Sequence, residues 1–259
     1  YRRPFQPTIA PPVQHGVRHF EGIDWLRWRG PRSWLAFRSG YSGGNHNNSD
    51  LGQFIFGLDG TRYLADPGKG NPQTRDHNCP TVRHKDQTEG ATARITNLNE
   101  CAHGIRLTCD ISQAFPFMLS RYERHLVLWD DAHLLVVDDL IGRTGVPGRA
   151  DIRTDVEGHL QSEWPARTTP EGFAIDGPEG TLRVILGCDV SEKRIETYRN
   201  GRETFHRMSW CDAYYRVHTV QPILFTTSDA AVEQEIGEDV VQVRVGESAM
   251  RIRLGHESF

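Results

Sequence analysis

The chain has no apolar run long enough to cross a bilayer, no Cys-x-x-Cys pair, no dense stripe of positive charge and almost no helical periodicity. The first absence excludes a membrane-spanning helix. Five cysteines, Cys79, Cys101, Cys109, Cys188 and Cys211, leave one over in any pairing, which fits reduced thiols better than a disulfide scaffold. Basic residues are scattered among acids for a formal net charge of -4, so a nucleic-acid partner is not expected. The opening residues contain neither an initiator Met nor the apolar segment of a secretion signal, so the chain reads as a processed product or an excised fragment.

What is present fits a folded globular chain, with 37% hydrophobic and 25% charged residues. Its 259 residues suit one large β domain or two smaller ones. Pro4, Pro7, Pro11 and Pro12 prevent regular pairing in the first residues, so 1–16 reads as a linker from an upstream region. Beyond it, period-two alternation dominates: Trp34–Arg38, Gln53–Phe56, Arg62–Ala65, Ala91–Thr96, Ile105–Asp110, Tyr122–Trp129, His133–Asp138, Leu182–Leu186, Pro222–Thr226 and Val240–Val245. Leu58-Asp-Gly-Thr61 and Trp129-Asp-Asp-Ala132 read as hairpin turns. The expected fold is all-β, a large antiparallel β-sandwich with stacked sheets over 17–259. The Gly- and Pro-rich stretch Val146–Asp151 either separates two layers or bridges strands.

Polar residues gather at three strand ends: Ser42-Gly-Gly-Asn-His-Asn-Asn-Ser-Asp50, Leu64-Ala-Asp-Pro-Gly-Lys-Gly70 and Arg75-Asp-His-Asn78. Together these loops would bring His46, Asn48, Asp66 and His77 near one another, a set suited either to a cation or to hydrogen bonding in a solvated loop. A cupin-like metal-binding β-protein is one reading of this set and the chain's twelve histidines. Strand-embedded histidines such as His125 and His133 argue instead for surface or core-edge roles. Seven arginines, Arg2, Arg3, Arg18, Arg27, Arg29, Arg32 and Arg38, crowd the first forty positions and form either a solvated surface or a field for an anionic sugar.

In order, Asn45-His-Asn-Asn-Ser-Asp-Leu-Gly-Gln-Phe54, Tyr63-Leu-Ala-Asp-Pro-Gly68 and His77-Asn78 resemble the signature of the heparinase II/III-like polysaccharide lyases. The run Arg121–Asp139 extends the resemblance to that family's C-terminal β-sheet domain, from about Trp34 to Leu140. The resemblance implies β-elimination at a uronic acid of a polysaccharide such as a glycosaminoglycan or alginate, with His46 as the sheet domain's catalytic group. Arg38, Tyr41 and Asn45 flank it as candidates for holding the acidic sugar. It also implies a partner (α/α) toroid, upstream or on a separate chain, without which the site is incomplete.

In relatives a structural zinc is held at the positions of Asn48, Asp66 and His77. Asn48 stands where those proteins have His, and an amide oxygen is a poorer zinc donor than imidazole, so zinc is expected to be weak or absent. Asp50 is expected to anchor its loop through backbone N–H groups. A periplasmic or secreted bacterial location follows from the resemblance, although an odd cysteine count is also compatible with a cytoplasmic oligosaccharide lyase. The alternative reading is a non-catalytic carbohydrate-binding or structural β-sandwich module, which the loss of the motif's second His supports.

Overall fold

A computed structural model describes residues 14–45, 47–68, 70–101, 103–143, 155–212, 217–237 and 239–254. The Pro-rich segment 1–13, the stretch Val146–Asp151 and His46 lie outside the described residues. In chain order the strands are β1 (Gly16–Phe20), β2 (Trp25–Arg29), β3 (Ser33–Arg38), β4 (Gly40–Tyr41), β5 (Phe54–Leu58), β6 (Thr61–Leu64), β7 (Thr81–Val82), β8 (Thr92–Cys101), β9 (Gly104–Asp110), β10 (Leu119–Trp129) and β11 (His133–Gly142). They continue as β12 (Val156–Ser162), β13 (Ala166–Thr169), β14 (Gly172–Gly177), β15 (Gly180–Leu186), β16 (Val190–Asn200), β17 (Glu203–Asp212), β18 (His218–Thr226), β19 (Val232–Ile236), β20 (Val240–Val245) and β21 (Ser248–Arg253). Only two short 3-10 turns, Thr74–Asp76 and Ser112–Ala114, interrupt them among the described residues.

These strands form a nine-stranded sheet, ordered β13-β14-β15-β18-β11-β10-β9-β8-β4, and three smaller ones: β1-β2-β3-β5-β6, β16-β17-β12-β7 and β19-β20-β21. Alternation along each central strand splits its side chains between two cores. Leu126, Leu128, Leu134 and Val136 face the main core, with Leu35, Phe54 and Phe56 of the five-stranded sheet and Leu160, Met208 and Trp210 of the four-stranded one. Their neighbours Val127, Trp129, Leu135 and Val137 face the opposite way, onto Val241, Val243 and Ile252 of the three-stranded sheet. The large sheet is therefore the middle layer, as an all-β stack of antiparallel sheets requires.

Both expected hairpin turns form. Asp59 (φ 50°) and Gly60 (φ 84°) join β5 to β6, while Asp130 (φ 53°) and Asp131 (φ 50°) join β10 to β11. Two successive residues with positive φ give the primed turn that matches the twist of paired strands, and Asp pays less for this region than most residues. Asp131 also clasps a distant strand. Its carboxylate accepts the backbone N–H groups of Arg32 at 2.6 Å and Ser33 at 3.1 Å, fixing the start of β3.

The main core contains a fully buried ion pair. The Arg124 guanidinium on β10 donates to the Asp138 carboxylate on β11 through Nε at 2.7 Å and Nη2 at 2.8 Å. Its Nη1 donates to the carbonyls of Gly52 at 2.7 Å and Asn78 at 2.8 Å, and the Tyr122 hydroxyl donates to Asp138 at 2.9 Å. Burial opposes the charged guanidinium, but Asp138 and the surrounding network outweigh it and hold Arg124 well above its ordinary pKa. The same burial pushes the Tyr122 hydroxyl well above its usual range.

Replacing Arg124 alone by Met leaves a buried carboxylate with only the Tyr122 hydroxyl and takes the guanidinium from two carbonyls, and is expected to cost about 3–5 kcal/mol. The joint change Arg124→Met with Asp138→Leu is expected to recover part of that loss, as read by denaturant unfolding. All five cysteines are free thiols. Burial raises the pKa of Cys79 and Cys109 to about 12, so at neutral pH a thiol reagent is expected to label exposed Cys101 first and those two only on unfolding.

Candidate functional site

The chain leaves β3 at Arg38, pairs briefly as β4 against β8, then runs through the polar loop 42–53 into β5. Several backbone staples hold this loop. Ser42 N–H donates to the Ala91 carbonyl at 2.9 Å, and Ser49 N–H to that of Pro72 at 3.1 Å. The Gln87 side chain bonds Leu51 in both directions, accepting from its N–H at 2.8 Å and donating to its carbonyl at 2.9 Å. Gly52, at φ +82°, turns the chain where a Cβ would meet Ile111 at 2.5 Å, so its carbonyl can reach Arg124.

The second and third polar stretches meet the same region through Asn78. Its Nδ2 donates to the carbonyls of Phe54 at 2.7 Å and Ala65 at 3.1 Å, its Oδ1 accepts from Gln161 N–H at 2.6 Å, and its own carbonyl accepts from Arg124. A fully engaged, 1% exposed amide of this kind locks β5, β6 and β12 together. The residue following the candidate His thus acts as the hub that positions it.

Asp66 and His77 meet as the sequence leads one to expect. His77 Nδ1 lies 3.2 Å from Asp66 Oδ2, and its Nε2 lies 2.9 Å from the Asn71 carbonyl, which can only accept, so Nε2 carries a proton. Asp66 also accepts the Gly68 N–H at 2.6 Å, closing the Asp-Pro-Gly turn at Gly68 (φ 72°). Burial pushes the Asp66 carboxyl up, but His77, the Gly68 N–H and the charge of Arg38 outweigh it and leave the group below its ordinary pKa.

Asp50 pairs with the guanidinium of Arg38. The loop is therefore anchored at Asp50 by a side-chain ion pair, and among the described residues not, as expected, through backbone N–H groups. Burial lowers the Arg38 pKa, opposed by Cys79 and Asp66. Asp50, Asp66 and His77 can each bring one donor atom within 4.8 Å of the others, so Asp50 joins the set that sequence reasoning confined to Asn48, Asp66 and His77. Asn48 lines the same groove as Asp50 and Asp66.

Two adjoining grooves, of about 600 and 500 Å³, open around this loop and share Trp25, Arg38 and Asn47. Tyr41 lines the first and is 60% exposed, with its hydroxyl folded over Gly43. Asn45 is exposed on the turn of the loop. The structure thus brings Arg38, Tyr41, Asn48 and Asp66 to the grooves, with His77 buried against Asp66, and the catalytic candidate His46 lies outside the described residues. Arg27 lines the second groove, so part of the N-terminal arginine group shares this face.

Sequence reasoning missed Trp25, although Trp25-Leu-Arg-Trp-Arg29 has the alternation of a strand and forms β2. The same aromatic character is shared by its neighbours. Of the six exposed large hydrophobic residues among those described, Phe20, Ile23, Trp25 and Tyr41 line the two grooves.

No family model matches the chain, and no curated protein matches it in sequence. Solved structures do match in fold. A heparinase III superposes with a TM-score of 0.73 at 14% identity, covering 93% of this chain and 43% of its own. The heparan sulfate lyase HepC from Pedobacter heparinus superposes with a TM-score of 0.70 at 13% identity, covering 96% and 44%. A chondroitin AC lyase from Streptomyces coelicolor, in complex with chondroitin sulphate, is more distant, with a TM-score of 0.52 at 11% identity over 93% and 38%. The chain spans less than half the length of each of these lyases, and over that span it has the β-sheet fold of heparinase III and heparan sulfate lyase.

Proposed function

We propose that this chain is the sheet part of a polysaccharide lyase that cleaves uronic-acid-containing polymers by β-elimination, its site completed by an (α/α) toroid. The observation that carries the reading is the concentration of exposed rings beside the motif loop. Phe20, Trp25 and Tyr41 line grooves that also present Arg38 and Arg94. Flat aromatic faces suit the C–H faces of sugar rings, and guanidinium groups suit their carboxylates. An apolar, ring-lined face of this kind is also what a second domain would cover to enclose a cleft.

In the proposed reaction a base removes the proton beside the uronate carboxylate, and its electron pair forms the ring double bond. The bond to the glycosidic oxygen breaks, and an acid returns a proton to that oxygen. His46 shares in these transfers, while Arg38, Tyr41 and Asn45 hold the sugar. Arg38 does so as a positioning residue as well, because its pairing with Asp50 fixes the loop that carries His46. Such an enzyme would work in the periplasm or outside the cell, where its polymers are found.

Asp66 and His77 serve this loop as a hydrogen-bonded pair, with zinc weak or absent. The donors themselves would suit a cation, and Asp66, His77 and Asn48 would hold one. Two features favour hydrogen bonding instead: both nitrogens of His77 have partners, and Arg38 already supplies positive charge beside Asp50 and Asp66.

Two measurements test these assignments. On the full-length polypeptide with uronate polymers, absorbance of the unsaturated product is expected to fall about 100-fold or more in rate for His46→Ala, and unchanged turnover would remove the catalytic assignment. For the metal, His77→Gln is expected to leave the zinc content of the purified protein unchanged. Zinc lost with that substitution would show that the imidazole is a ligand.

A further inference from the structure

The face of the large sheet that packs on the three-stranded sheet carries a second polar group, none of whose residues lines the grooves. Glu123 on β10 pairs across the ladder with Asp139 on β11, and His125 lies two residues along β10 opposite Thr108 of β9. These side chains share the face of Val127, Leu135 and Val137, so alternation sets them on the opposite side of the sheet from Arg124 and Asp138. One donor atom from each of Glu123, His125 and Asp139 lies within 4.8 Å of the others.

His125 is the observation that points to a ligand. Its side chain is 4% exposed, and its Nε2 has no hydrogen-bond partner among the described residues. The nearest carboxylate oxygen on Glu123 is 3.9 Å away, beyond hydrogen-bond reach. The other ring nitrogen, Nδ1, lies 3.0 Å from the Thr108 hydroxyl. With Nδ1–H donating to that hydroxyl, Nε2 presents a bare lone pair toward two carboxylates. Burial lowers the ring's pKa to about 4, consistent with the neutral form.

Asp139 is held in place by its neighbours. His218 Nε2 lies 2.7 Å from its Oδ1, and Arg121 donates to its Oδ2. A carboxylate oxygen has more than one lone pair, so these contacts orient Asp139 without exhausting it. Burial raises the pKa of Glu123, with Arg121 opposing the shift and Asp139 and Asp110 adding to it. His77 differs from His125 here, since both of its ring nitrogens are occupied.

We propose that Glu123, His125 and Asp139 form a binding site for a divalent cation of the zinc type, separate from the Asp66 and His77 pair. One neutral imidazole and two carboxylates make a mixed nitrogen and oxygen donor set that suits a borderline metal. Thr108, Arg121 and His218 orient the ligands from behind. The site ties β9, β10, β11 and β18 together on the face of the large sheet that carries Val127, Leu135 and Val137.

The test titrates the chelator-stripped full chain with Zn²⁺ and counts the metal retained after gel filtration. One equivalent is expected for the parent protein and for His77→Gln. Affinity is expected to fall about tenfold or more for Glu123→Gln, which sits at the edge of the cluster, and about tenfold for Thr108→Val, which frees the ring. Far-UV circular dichroism checks that both variants remain folded, and a Co²⁺ absorption band that vanishes in His125→Gln reports imidazole ligation. Failure of the parent protein to retain Zn²⁺, undiminished retention in Glu123→Gln, or loss of the metal in His77→Gln alone would overturn the proposal.

Discussion

The pairing of Arg124 with Asp138 is the constraint on which the candidate site depends. A guanidinium buried in an apolar core must find partners for all its donors, and here half of them come from outside its own strand pair. The carbonyls of Gly52 and Asn78 belong to two different loops, so the energetic demand of one buried charge fixes both loops relative to the large sheet. Asn78 then repeats the device one step outward, joining β5, β6 and β12 through a single amide. The polar residues above these anchors do not need to hold themselves in place.

That arrangement separates rigidity from recognition. Arg124, Asp138 and Asn78 beneath the loop are buried and hydrogen-bonded, while Tyr41 and Asn45 above it are exposed. Arg38 belongs to both sets, lining the grooves while pairing with Asp50. Functional sites commonly place exposed contacts on a rigid scaffold in this way, because ordering a loop in advance removes a cost from binding.

In the middle layer β8 to β11, β15 and β18 were legible because each has one or two apolar faces and clear Gly or Asp punctuation. The hairpins at Asp59-Gly60 and Asp130-Asp131 could be read from turn chemistry alone. Strands β13, β16 and β19 were not legible, since their exposed positions carry Arg, Glu and Thr and little alternation survives. The convergence of Asp66 and His77 followed from the family-like order of motifs. The buried ion pair did not, because Arg124 and Asp138 look like any polar residues on alternating strands until the fold turns both inward. The hub role of Asn78, noted only as part of a motif, and Gln87 altogether escaped notice for the same reason: an amide that bonds only backbone leaves no pattern in a single sequence. The orphaned nitrogen of His125 is likewise a property of packing, invisible in composition or spacing.

The clasp between Asp131 and the backbone of Arg32 and Ser33 spans 99 and 98 residues of chain. During synthesis the first sheet would leave the ribosome long before the hairpin that secures its third strand. The early strands must then wait, with their apolar faces uncovered, for a distant turn to arrive. Topologies of such long reach fold slowly, and the waiting interval is when this chain would be most exposed to aggregation or to the help of a chaperone.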